Sequence, residues 1–303
     1  MQALTASTRY LAVFGRPIRH SASPAMHNPA LGVLGLDWRY LAMEVAPESL
    51  ASAIAGAQSM GFIGVNLTVP HKILAVDLVD ELDDSGRTWG AVNTLRFEGR
   101  ADDGPWIGLG QAPEGFEPRE RRVVGFNTDA DAVVRAIAED LGLSLAGKRV
   151  VLLGAGGAGR VAALRIAQEG VAELALINRT AEKSRAVAEE IAGSHPDIRL
   201  TTEYPEGQVD LILNATSLGL KASDPLPLDV ARFPYSRANA AYDMIYSPAE
   251  TPFLAGARKA GLPAANGLGM LLYQGAKALE IWTGQPAPVD VMARALREAI
   301  YGE

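Results

Sequence analysis

Residues 148–160 read KRVVLLGAGGAGR and residues 173–180 read ELALINRT. The first stretch joins an apolar strand to a triple-glycine turn and the start of a helix; the second is another strand, closed by an arginine. Val150 to Leu153 is a continuous apolar run, the pattern of a parallel strand covered on both faces. Gly154 permits a tight turn, Gly156 lets the backbone approach a pyrophosphate, and Gly159 lets the helix pack closely on the strand. Ala155, Gly157 and Ala158 complete a loop whose backbone N–H groups face phosphate at the helix start. Strand, turn, helix and strand together predict a Rossmann dinucleotide-binding fold rather than a glycine-rich turn alone.

The end of the second strand bears on which dinucleotide. An NAD-preferring site usually places Asp or Glu about 20 residues beyond the glycines, where it accepts hydrogen bonds from the ribose 2′-OH. This chain has Asn178, Arg179 and Thr180 there instead. A carboxylate would repel a 2′-phosphate, whereas a guanidinium binds it through charge-assisted hydrogen bonds of roughly 1.5–3 kcal/mol each. NADP(H) is therefore the expected cofactor. The plainer alternative makes Arg179 a solvated helix-start residue, and Lys183 and Arg185 read as surface charges on the next helix.

With 303 residues, 48% of them hydrophobic and 21% charged, the chain is long enough for one large or two ordinary globular domains. Its net charge of -7 argues against a nucleic-acid surface. The absence of cysteine excludes disulfides, thiolate nucleophiles and zinc–cysteine sites, and no metal site is expected. No apolar run approaches the roughly 18 residues that span a bilayer, and Met1 to Arg9 has no charged start followed by an apolar core. A soluble cytoplasmic protein follows, monomer or homodimer, with a small-molecule partner and neither nucleic acid nor membrane.

Strand and helix patterns alternate from the N-terminus: Tyr10 to Phe14, a helix over 24–34, Arg39 to Val45, a helix over 47–60, then Gly64 to Val69. That rhythm predicts a parallel α/β layer preceding the dinucleotide fold. A helical stretch over 128–141 leads from the first unit to the second. Helices near 269–282 and 289–301 follow the nucleotide domain and are placed to return to the first. The expected division is residues 1–128 with 267–303 as a discontinuous substrate-binding and catalytic domain, and 129–266 as the NADP-binding Rossmann domain. Residues 98–122, rich in glycine, proline and charge, fit neither period and read as a mobile surface loop or hairpin insertion.

A nicotinamide enzyme needs a group to move the alcohol proton. Of the four histidines, His195 lies in a polar loop, and His20 and His27 flank the first helix start, where capping, packing and catalysis are all open. His71 neighbours Lys72 in GVNLTVPHK, where a strand runs directly into a helix start. GAVNTL (90–95) and GFNTD (125–129) place Asn93 and Asp129 at loop ends, where short polar residues also serve as caps.

Taken as a set, GRPIRHSASPAMHN (15–28), GVNLTVPHK (64–72), GAVNTL, GFNTD, GAGGAGR, NRT, NATSLG (214–219), YDMIYSPAETPFL (242–254) and NGLGMLLYQG (266–275) closely resemble the shikimate dehydrogenase family. The resemblance implies reversible NADPH-dependent reduction of 3-dehydroshikimate to shikimate, on the route to chorismate and aromatic amino acids, in a cleft between the two domains. It matches Lys72 and Asp129 to the catalytic pair, which also touches substrate. It matches Ser21, Ser23 and Tyr246 to the groups that bind the substrate carboxylate, and Thr68, Asn93 and Gln274 to those that hold the ring hydroxyls. Asn214, Ala215 and Thr216 match the loop beneath the cofactor, and Met244 and Gly267 match backbone positions near the nicotinamide. The alternatives are a quinate or dual-specificity dehydrogenase and, from another class, a ligand-sensing regulatory protein without turnover. Two features depart from the family pattern: the long 98–122 segment, and Trp89, which reads as packing.

Overall fold

Strand β1 (Arg9–Gly15) is buried over its last five residues because neighbours flank it on both edges. β2 (Trp38–Glu44) and β3 (Gly64–Leu67) pair with it in parallel. Helices α1 (Ser23–Val33) and α2 (Leu50–Ser59) make the crossovers that parallel pairing requires. The chain continues through α3 (His71–Leu74), β4 (Glu81–Leu82), α4 (Asp84–Trp89), β5 (Thr94–Arg100), β6 (Ile107–Gly108) and β7 (Glu120–Phe126). The sheet order is β2-β1-β3-β5-β7-β4, with β6 on β5. The parallel layer expected from the sequence spans β1 to β3. Beyond it the sheet is mixed, since β5 runs antiparallel to both β3 and β7.

β5 reverses against β3 through the 68–93 connection, and residues 98–122, which form a hairpin excursion rather than an irregular loop, turn the chain back from β5 into β7. β6 folds back antiparallel on β5, and Leu109 N–H donates to the Phe97 carbonyl. Glu98, 2% exposed, is neutralised by Arg96 and Arg122. The Trp106 ring takes guanidinium contacts from Arg100 and Arg122 at 4.8 and 4.6 Å. These pairings tie the segment to the sheet without an apolar period. Trp89 is buried, as a packing residue should be.

Helix α5 (Asp129–Leu141) leads into a second sheet built from β8 (Arg149–Leu153), β9 (Glu173–Ile177), β10 (Arg199–Thr201), β11 (Leu211–Asn214), β12 (Ala241–Asp243) and β13 (Ala264–Ala265). α6 (Gly157–Gln168), α7 (Ala181–Ser194) and α8 (Pro252–Lys259) connect them. Every pairing is parallel and the order is β10-β9-β8-β11-β12-β13. This is the doubly wound order whose direction reverses between β8 and β11, the switch point where such sheets bind dinucleotides. Val151, Ile212, Phe233 and Phe253 lie in its core. Helices α9 (Leu268–Thr283) and α10 (Val289–Tyr301) end the chain.

The computed structural model describes residues 4–302. They divide into two compact units, one running to Asp129 and resuming at Leu272, the other spanning Ala130–Leu271. In the first unit α10 packs on α1, and the fully buried Trp282 donates its indole N–H to the Leu95 carbonyl at 2.9 Å. Among the described residues, no helix is long and apolar enough to cross a membrane.

Candidate functional site

In the first unit, Lys72 Nζ donates to Asp129 Oδ2 at 2.6 Å. Lys72 is the second residue of α3, directly after the β3 end, and Asp129 is the first residue of α5, just past β7. Asn127 Oδ1 accepts the Asp129 backbone N–H at 3.1 Å, while the Asp129 carboxylate itself faces Lys72. Both side chains keep a path to solvent, with 33% and 17% exposure.

Behind this pair lies a buried polar network. Asn93, 2% exposed, donates from Nδ2 to Thr128 Oγ1 at 3.0 Å and accepts the Thr128 N–H on Oδ1 at 2.8 Å. Buried Asn66 donates to the Asn93 carbonyl and to Thr94 Oγ1, and its Oδ1 accepts from the Tyr40 hydroxyl at 2.6 Å. Burial raises the Tyr40 phenol pKa, and a hydrogen bond from the Ser23 side chain opposes that shift. Ser23 N–H in turn donates to Ser21 Oγ. One hydrogen-bonded line thus runs from the serines through Tyr40 and Asn66 to Asn93 and Thr128. Thr68 follows β3 and accepts the His71 N–H on its carbonyl. Gln274 is half-buried on α9.

His27 stands beneath this line, inside α1 rather than at its start. Its ring stacks on Tyr40 with centroids 4.2 Å apart. Nδ1 lies 2.9 Å from the Ser23 carbonyl and Nε2 lies 3.2 Å from the Gly275 carbonyl, next to Gln274. A neutral ring has one N–H and serves one of these carbonyls at a time. Protonation would serve both, yet complete burial pushes the imidazole pKa down to about 4. His27, Asn66 and Thr128 lie within the quoted motifs without an assigned role, and Tyr40 lies outside them. His71 is turned away from Lys72: Nε2 lies 2.9 Å from the Val45 carbonyl, and burial lowers its pKa. His20 is exposed, and His195 is half-buried at the C-terminal end of α7.

In the second unit, the glycine loop has the geometry its residues imply. Gly154 sits at φ +105°, a conformation that side chains resist, and a Cβ on Gly159 would collide with the Gly154 carbonyl. Apart from its own chain neighbours, no atom of the described residues lies within 4 Å of where a Gly156 Cβ would stand, so the loop leaves room for a phosphate there. Asn178 ties this turn to the end of β9, accepting the Ala155 N–H and donating to the Thr180 carbonyl. Gly157, Ala158 and Gly159 form the first turn of α6. A cavity of about 580 Å³ runs from Gly154 and Gly156 past Asn178, Arg179 and Thr180, with Ala215 and Thr216 also lining it. Lys183, expected as a surface charge on the next helix, lines the cavity too; one turn into α7 it remains beside Arg179. This donor set suits a dinucleotide carrying an extra phosphate.

Asn214 is fully buried, holding Thr216 through Oδ1 and Asp243 through Nδ2. Asp243 also accepts from Thr251 at 2.6 Å, and burial raises its carboxyl pKa. Asp243 lies within the 242–254 motif, where the sequence assigns it no role. Met244 N–H donates to the Asn214 carbonyl, and a Cβ on Gly267 would strike the Met244 carbonyl, which fixes glycine at 267. Half-buried Tyr246 has its phenol pKa raised by burial. Among the described residues, no group of three or more His, Cys, Asp or Glu is arranged to hold a metal ion.

Known proteins are similar to this chain along nearly its whole length. Residues 13–95 match the shikimate dehydrogenase substrate binding domain, residues 136–220 match shikimate / quinate 5-dehydrogenase, and residues 267–297 match the shikimate 5′-dehydrogenase C-terminal domain. The shikimate dehydrogenase (NADP(+)) of Moorella thermoacetica is 42% identical over 97% of this chain and 95% of its own. That of Geobacter metallireducens is 39% identical over 98% and 99%. Shikimate 5-dehydrogenase of Thermus thermophilus, solved with NADP(H) and shikimate, superposes with a TM-score of 0.78 at 35% identity, covering 96% of this chain and 99% of its own. By identity, coverage and fold, the chain belongs to the shikimate dehydrogenase family.

Proposed function

We infer that this chain catalyses the reversible NADPH-dependent reduction of 3-dehydroshikimate to shikimate, an oxidoreductase step at a CH–OH group that serves chorismate and aromatic amino acid synthesis. The observation that carries this reading is the 2.6 Å Lys72–Asp129 pair at the edge of a buried amide and hydroxyl network. A polyhydroxylated ring acid needs many donors and acceptors, and a network of this kind discriminates well, because an unpaired buried group costs roughly 1–3 kcal/mol.

The glycine loop, with Arg179 and Lys183, fits NADPH, which when bound supplies hydride to the ketone carbon. Lys72 then gives a proton from Nζ to the oxygen on which charge develops, and Asp129 holds that ammonium in place. Ser21, Ser23 and Tyr246 take the carboxylate. Thr68, Asn93 and Gln274 take the ring hydroxyls, with Asn93 held by Thr128 and Asn66. Met244 and Gly267 would border the nicotinamide, and Asn214, Ala215 and Thr216 would support the cofactor. Purified protein mixed with shikimate and NADP⁺ is expected to generate NADPH absorbance; absence of turnover overturns the assignment.

A further inference from the structure

The cavity that Arg179 and Lys183 line also holds a cation that neither the glycine loop nor the NRT segment supplies. Arg232 lies between β11 and β12 and lines the same cavity of about 580 Å³. Its guanidinium sits 5.4 Å from the centroid of the Tyr204 ring and donates to Glu203 Oε2 at 2.6 Å. Tyr204 is itself fixed: its ring stacks on Phe233 at 5.5 Å and its hydroxyl accepts the Asp229 N–H at 3.1 Å. Asp229, a carboxylate that also lines the cavity, turns Oδ1 to the N–H groups of Ala231 and Arg232.

Topology decides which end of a dinucleotide this cation meets. Tyr204 follows β10, which pairs in parallel with β9 on the side away from the β8/β11 switch point. The pyrophosphate belongs at the glycine loop after β8; the adenosine end extends over the C-terminal edge of β9, where Arg179 stands. Arg232, stacked on Tyr204, therefore flanks the adenosine end. Arg179 and Lys183 form no ion pair among the described residues, whereas Arg232 is held by Glu203. Both members of that pair are exposed, 60% and 72%, so the guanidinium exchanges an internal carboxylate for a ligand anion at little cost.

We propose that Arg232 is a third determinant of cofactor selectivity, binding the adenosine 2′-phosphate together with Arg179 and Lys183, with Glu203 as the internal anion it leaves. This rests on the NADPH reading of the same cavity. The test is calorimetric binding of two pairs that differ only in the 2′-phosphate: NADP⁺ against NAD⁺, and adenosine 2′,5′-bisphosphate against 5′-AMP. Arg232→Ala is expected to weaken the phosphorylated member of each pair by about 5–20-fold, leaving the other within about twofold, with the gap narrowing at high salt. Glu203→Gln is expected to strengthen NADP⁺ binding by about 2–5-fold without changing NAD⁺. Equal losses within both pairs, or no loss, in Arg232→Ala overturn the proposal; unchanged or weaker NADP⁺ binding in Glu203→Gln removes Glu203 from it. Arg179→Ala separates the two levels: selective loss there with none in Arg232→Ala rejects Arg232 alone, and no selective loss in either variant rejects the NADPH reading as well.

Discussion

Asn93, 2% exposed, engages both ends of its amide with Thr128, while Arg179 lies exposed with no ion pair among the described residues. The same contrast holds across the two units. Ser23 and Asn93 are tied into a buried hydrogen-bonded line in the first unit, while Arg179 and Lys183 stand exposed in the second. A preorganised, desolvated network distinguishes ligands by hydrogen-bond pattern and resists salt. Solvated cations distinguish them by charge, and their contribution falls as ionic strength rises.

The largest effect that would break this contrast is on chemistry. Lys72→Ala should lower kcat by roughly 10²–10⁴-fold with little change in NADP⁺ affinity, and a loss below about tenfold removes Lys72 from proton transfer. Next comes the buried histidine beneath the network. His27 titrates at about 4 in the folded chain against 6.5 when free, so the unfolded chain takes up the proton first as pH falls. Its contribution is complete above about pH 6.5 and is lost progressively toward pH 4, by about 3 kcal/mol in total. Urea unfolding at pH 7 and pH 5 should show a smaller stability difference in His27→Gln than in the natural chain; an identical difference refutes the assignment.

Tyr40→Phe removes one hydroxyl and leaves Asn66 Oδ1 without its donor, at a cost of about 1–3 kcal/mol. Its KM for shikimate should rise several-fold with NADP⁺ affinity unchanged. If both shift together, Tyr40 supports the fold at large rather than the substrate side. The smallest effect sharpens the cofactor half: Arg179→Ala should weaken NADP⁺ by about tenfold and NAD⁺ hardly at all, and equal losses contradict a 2′-phosphate contact.

The parts legible in the sequence are those fixed by local geometry. GAGGAG is readable because a positive φ and a close helix approach each demand glycine at one position, and Gly154 and Gly159 meet those demands. Lys72 and Asp129, 57 residues apart, are found through the motifs around them, since spacing alone says nothing about a 2.6 Å contact. Tyr40 lies outside every motif, and Asn66 sits inside GVNLTVPHK without an assigned role, for the converse reason. Each looks like an ordinary strand residue, and their bond joins β2 to β3 across 26 residues without a local pattern. The antiparallel turn of the first sheet is hidden likewise, because ion pairs around Glu98 hold the 98–122 hairpin where a hydrophobic period would have announced it. Lys183 resembles any solvated helix charge until the cavity gives it a direction.

The most direct measurement compares initial rates for shikimate and quinate, each with NADP⁺ and NAD⁺, at low and high ionic strength. Shikimate with NADP⁺ should be fastest, and added salt should raise the KM for NADP⁺ well before that for shikimate. Quinate with NAD⁺ as the best pair, or no reduced cofactor from any pair, would contradict the account.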